Sequence, residues 1–105
     1  MIHYEDVAAE VDVADGALLG IELRDGTPVC LYNVAGAIGA VGNICTHAEF
    51  LMSDGFLLAD GTIECAWHGA RFNCRSGAVT RQPATEPLPV YKACVERGRV
   101  LVAKE

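Results

Sequence analysis

Cys45-Thr46-His47 and, after a further seventeen residues, Cys65-Ala66-Trp67-His68 are two short segments that each offer one thiol and one imidazole. No other part of the chain concentrates ligand chemistry in this way. A thiolate is a soft donor suited to iron–sulfur clusters, copper(I) or zinc, whereas imidazole suits iron and zinc. A structural zinc site usually takes its cysteines as one close pair and its histidines as another. Here each segment is mixed. Mixed segments fit a two-metal site in which both cysteines bind one iron and both histidines bind the other, so that each loop straddles the pair.

That division of ligands is the one found in a Rieske 2Fe–2S centre. The run Cys65-Ala66-Trp67-His68-Gly69-Ala70-Arg71-Phe72-Asn73, followed by Arg75-Ser76-Gly77, resembles the second cluster loop of bacterial Rieske-type ferredoxins, and Cys45-Thr46-His47 resembles the first. The strand pattern before them and the proline stretch after them also match in order and length. The chain therefore resembles the Rieske ferredoxin component of multicomponent aromatic-ring dioxygenases. This implies an all-β Rieske (ISP-like) fold, with an antiparallel strand base from residues 1–42 and 84–105 and a cluster-binding lobe inserted at about 43–83. It also implies one Rieske-type 2Fe–2S cluster, with Cys45 and Cys65 on the buried iron and His47 and His68 on the outer one.

Length and composition agree with a small soluble carrier. At 105 residues there is room for one domain with a real core but not for two. Apolar residues make up 51% of the chain, which excludes a disordered polypeptide. The net charge is −6, and no Lys/Arg cluster appears, which argues against nucleic acid and anionic membranes as partners. An acidic carrier instead suits a partner with a basic docking patch. The start, Met1-Ile2-His3-Tyr4-Glu5-Asp6, has no basic and apolar leader pattern, and no segment approaches the roughly 20 apolar residues of a membrane helix. A cytoplasmic location and a monomer are expected. Beyond the two ligand cysteines, Cys30, Cys74 and Cys94 form an odd set, best read as reduced thiols acting as small hydrophobes.

Turn signals divide the rest. Ile2 to Asp6 reads as a strand containing His3, and Val7 to Val11 as either a helical turn or a loop. Leu19, Ile21 and Leu23 alternate with Gly20 and Glu22, so Leu18 to Arg24 is a half-buried strand. Asp25-Gly26 turns it into Val29 to Val34, and Ala35-Gly36 turns that into Ala37 to Gly42. Thr62 to Glu64 delivers Cys65; Arg71 to Cys74 leaves the second loop, and Ser76-Gly77 reverses it into Ala78 to Thr80. Three prolines between Pro83 and Pro89 make a stiff loop. Val90 to Glu96 and Arg99 to Ala103 form a final hairpin about Arg97-Gly98.

The family resemblance also carries expectations about tuning and docking. In respiratory Rieske proteins a serine two residues after the second histidine and a tyrosine four after it hydrogen-bond to the cluster. The same proteins link the two loops by a disulfide. Ala70 and Phe72 stand at the first pair of positions, Phe50 and Trp67 at the second. The implied potential lies near the bottom of the Rieske range of roughly −150 to +300 mV. Electrons would come from an NAD(P)H-dependent ferredoxin reductase and pass, through transient docking near His47 and His68, to a terminal oxygenase. Trp67 either shields the cluster or belongs to the docking face. Phe50-Leu51-Met52 is either an exposed docking patch or buried under the lobe, and Pro83 either covers the cluster or merely connects.

Two other classes compete: a Rieske-like small subunit of a different oxidoreductase, and a structural zinc module for protein interaction. The purified protein is expected to be red-brown with iron and acid-labile sulfide, as absorption spectroscopy and metal analysis will show; colourless, zinc-bearing material would establish the zinc module.

Overall fold

The computed structural model describes residues 3–46, 49–67 and 69–104. Tight turns between amphipathic strands set its topology. β1 (Glu5–Ala9), β2 (Leu18–Glu22), β3 (Pro28–Val34) and β4 (Ala37–Gly42) precede the first cysteine loop. β5 (Phe56–Leu57), β6 (Thr62–Glu64), β7 (Arg71–Asn73) and β8 (Val79–Arg81) surround the second, and β9 (Val90–Glu96) and β10 (Arg99–Ala103) close the chain. Every pairing is antiparallel. One sheet has the order β1-β10-β9-β4-β3-β2, and a second, smaller one has the order β5-β6-β7-β8. The fold is the all-β, antiparallel architecture expected from the sequence.

Two of the hairpins use consecutive positive-φ residues, Ala35-Gly36 (52° and 92°) and Arg97-Gly98 (51° and 76°). That backbone matches the right-handed twist of the flanking strands, which is why it suits two-residue turns. The β2–β3 turn is held by Asp25, whose carboxylate accepts from the Thr27 amide (2.9 Å) and hydroxyl (2.6 Å).

Strand β3 explains how two cores fit in so short a chain. Its alternate residues point to opposite faces, and both faces are buried. Val29 and Leu31 join Val13, Leu23, Ala40, Val100 and Val102 inside the larger sheet. Cys30 and Tyr32 join Met52, Ile63, Phe72 and Leu88 beneath the smaller one. β3 is thus the wall shared by both.

Three local expectations are corrected. The first strand begins at Glu5 rather than Ile2, because its register runs from Glu5 opposite Val102 to Ala9 opposite Arg99; His3 lies before it and is exposed. Residues beyond Ala9 form a 3-10 turn, Glu10–Asp12, docked by the Glu10 amide on the Gly98 carbonyl at 2.9 Å. Phe56 and Leu57, where no strand is expected, pair with Glu64 and Ile63 as an edge strand. Its two residues are too few for any periodic signal.

Gly77 and Gly61 both have positive φ (75° and 84°), but a Cβ at Gly77 would run into the Leu88 carbonyl while Gly61 has open space. Gly61→Ala is expected to cost about 1 kcal/mol from left-handed strain. Gly77→Ala adds overpacking, for a total upwards of about 3 kcal/mol; chemical denaturation of both variants measures the difference.

Candidate metal centre

Two fingers built on the same local plan present the cysteines. In the first, Asn43 fixes the neck: its side-chain oxygen accepts from the Ser53 amide (2.8 Å), and its carbonyl accepts from the Met52 amide (2.7 Å). An isolated bridge pairs Ile44 with Leu51, and the Cys45 amide then donates to the Phe50 carbonyl at 2.8 Å. In the second, Glu64 pairs with Arg71 in the β6–β7 ladder, and the Cys65 amide donates to the Ala70 carbonyl at 2.8 Å. Each cysteine is therefore the last residue before a tip closed by a bond to the residue five places on. The Arg71 Nε–Glu64 Oε1 contact of 2.6 Å braces the second finger, and Arg81 approaches the same carboxylate at 3.9 Å.

The cysteines meet at the ends of these fingers. Cys45 is 3% exposed and Cys65 fully buried, with Ala70, Phe72, Met52, Ala84 and Leu88 in the same cluster. The two thiols lie within hydrogen-bonding reach of each other. Burial pushes the Cys65 thiol pKa up; the Trp67 amide, donating to the sulfur, pulls it down, and the neighbouring Cys45 pushes it up again. Buried in an apolar pocket, the Cys65 thiol resists ionising on its own. A metal held by both removes that obstacle, because the cation stabilises the thiolates it binds.

Residues 3–92 match a family model described as the Rieske [2Fe-2S] domain. The chain belongs to that family. It is 39% identical over 92 residues to the 3-phenylpropionate/cinnamic acid dioxygenase ferredoxin subunit of Escherichia coli (strain K12), spanning 87% of this chain and 84% of that one. It is 34% identical over 96 residues to the ferredoxin component of the p-cumate 2,3-dioxygenase system of Pseudomonas putida, spanning 91% and 81%. Among solved structures, a complex of reduced oxygenase and oxidized ferredoxin in carbazole 1,9a-dioxygenase contains a chain that superposes with a TM-score of 0.89. Its identity is 32%, with 97% of this chain and 94% of that chain covered.

The cofactor of this Rieske domain is accordingly a 2Fe–2S cluster, and the donor set fits it: two opposed, buried thiols with a backbone amide already directed at one sulfur. His47 and His68 lie outside the described residues. Phe50 and Trp67, on the two finger tips, stack with ring centroids 5.0 Å apart and planes 20° from parallel. Trp67 is half exposed, so it does not seal the site from solvent. The Phe50-Leu51-Met52 stretch divides: the first two are exposed and Met52 is fully buried. Thr46 donates to the Glu86 carbonyl at 2.6 Å, which ties the first tip to the proline loop. Pro83 itself is exposed and follows a cis peptide bond.

Sequence reasoning missed Asn43, Thr46 and Glu64. Their partners are 10, 40 and 7 residues away. Only Glu64, immediately before Cys65 and facing Arg71 across the tip, left a readable charge pair.

Cys30 and Cys74 are buried in the same apolar cluster as Cys45 and Cys65, and Cys94 is partly exposed. Burial pushes the Cys30 thiol up to about 12 and the Cys74 thiol to about 11, from an ordinary 9.0. Because the folded values lie above the unfolded one, their contribution to stability is intact below about pH 9 and lost as pH rises through 11 to 12. Denaturation followed across that window is expected to show falling stability, with a shallower slope in Cys30→Ala.

Proposed function

We propose that this chain is an electron carrier, not an oxygenase: the ferredoxin component of an aromatic-ring dioxygenase system. It takes single electrons from an NAD(P)H-dependent ferredoxin reductase and delivers them to the Rieske centre of a terminal oxygenase. The observation that carries this reading is likeness to dedicated ferredoxin subunits along more than four-fifths of their length. The same fold occurs in a ferredoxin bound to its oxygenase.

Cys45 and Cys65 hold one iron and His47 and His68 the other. The 2Fe–2S cluster, when bound, accepts and releases one electron. The chain's own residues set the conditions for this. The fingers fix the sulfur donors, the Trp67 amide stabilises negative charge on Cys65, and the buried side chains around them exclude water. The division into a base (1–42 and 84–105) and a cluster lobe (about 43–83) gives the carrier a rigid support and one presenting end. Docking takes place near His47 and His68 and is transient; the protein acts as a monomer in the cytoplasm. Among the described residues no helix is long and apolar enough to cross a membrane.

The test is reconstitution. With reductase, oxygenase and NAD(P)H, turnover should require this chain and be abolished by Cys45→Ser; turnover equally fast without it would defeat the proposal. Ala70 and Phe72 are fully buried and bring no hydroxyl to the site. The midpoint potential is therefore expected below zero. Ala70→Ser, adding a donor, should raise it by about 60 mV, which is one tenfold step in a one-electron equilibrium. Protein-film voltammetry reads both values.

A further inference from the structure

Each finger is closed within itself by a backbone bond from its cysteine, 45 to 50 and 65 to 70. Those bonds fix the shape of each tip but do nothing to hold one tip against the other. Below the tips, the apolar cluster around Met52, Phe72 and Leu88 joins the bases of the fingers. At the tips themselves, the Phe50–Trp67 stack spans the gap on the solvent side of the two buried thiols. Phe50 is the residue whose carbonyl closes the first tip, and Trp67 is the residue whose amide is directed at the Cys65 sulfur. Each ring therefore stands on a backbone unit that shapes its own metal-binding tip.

We propose that the Phe50–Trp67 stack is a clasp: these are positioning residues that hold the two fingers at the spacing the cluster requires and retard its loss. This rests on the reading of Cys45 and Cys65 as cluster ligands. No disulfide joins the two fingers, so none shares the task. The face-to-face geometry, at 5.0 Å and 20°, is within the range in which aromatic pairs attract beyond simple burial. Such a pair shifts an equilibrium by about two- to tenfold, so opening of the tips should be that much rarer with the stack intact.

A double-mutant cycle on the holoprotein isolates the pair from the burial of either ring alone. Phe50→Ala, Trp67→Ala and the double variant are loaded with cluster, and loss of visible absorbance is followed under excess iron chelator. Each single variant should lose its cluster faster. The double variant should be slower than the product of the two single effects by about two- to tenfold, and Trp67→Phe should restore most of the lost retention. The electron paramagnetic resonance signal of freshly loaded, reduced singles should broaden as the two fingers take a range of spacings, while the global unfolding midpoint stays close to the parent. Phe56→Ala, an exposed aromatic on β5, should leave release unchanged.

If the single effects multiply fully in the double variant, or if Trp67→Phe is no better than Trp67→Ala, the clasp is overturned. If an alanine variant takes up no cluster, Phe50→Leu and Trp67→Leu, which keep apolar bulk but remove the ring pair, close the same cycle with the same criterion. Parent protein without iron or sulfide would instead overturn the ligand reading itself, an outcome distinct from a failed cycle.

Discussion

Cys45 and Cys65 come from separate loops, yet their thiols are buried together and within reach of one another. Left alone, the Cys65 thiol resists ionisation, since its thiolate would sit in a low-dielectric pocket. Bound to a metal, the same burial becomes useful, because it keeps water away and strengthens every electrostatic interaction around the sulfurs. The remaining structure can be understood as the support needed to keep two donors in that position. Asn43 pins one neck, the Glu64–Arg71 pair braces the other, and Thr46 ties the first tip to the proline loop.

The division of the fold follows from the same requirement. A finger built from two- and three-residue strands has little capacity to stabilise itself. Here β3 supplies the missing core by burying both of its faces, one in the larger sheet and one under the fingers. The acidic residues lie mostly away from this junction: residues 1–42 contain seven Asp/Glu and one Arg, against four Asp/Glu and three Arg in 43–83. The net charge of −6 therefore describes residues 1–42 better than it describes the two fingers. Exposed Phe50, Leu51 and Trp67 make the finger tips comparatively apolar.

The segments legible in the sequence were those whose information is local. β4 and the final hairpin were readable to the residue, because positive-φ turns at Ala35-Gly36 and Arg97-Gly98 bracket periodic strands. β1 was misplaced, since its limits depend on pairing with β10, some ninety residues away. β5 was missed because two residues have no period. At the site, residue type and spacing singled out Cys45 and Cys65, which the fold buries in one cluster, whereas Asn43 and Thr46 carry no such mark; each acts through a partner that only folding brings near.

By itself, then, the amino-acid sequence showed the donor chemistry: two rare donor types, thiol and imidazole, repeated as mixed pairs in two short segments. Tertiary structure alone decided the mechanics. Whether Trp67 seals or stacks, and which of Phe50, Leu51 and Met52 faces solvent, depends on how two independent loops approach one another. That approach is governed by packing between residues distant in the chain, and such contacts leave no periodicity or spacing for a linear sequence to display.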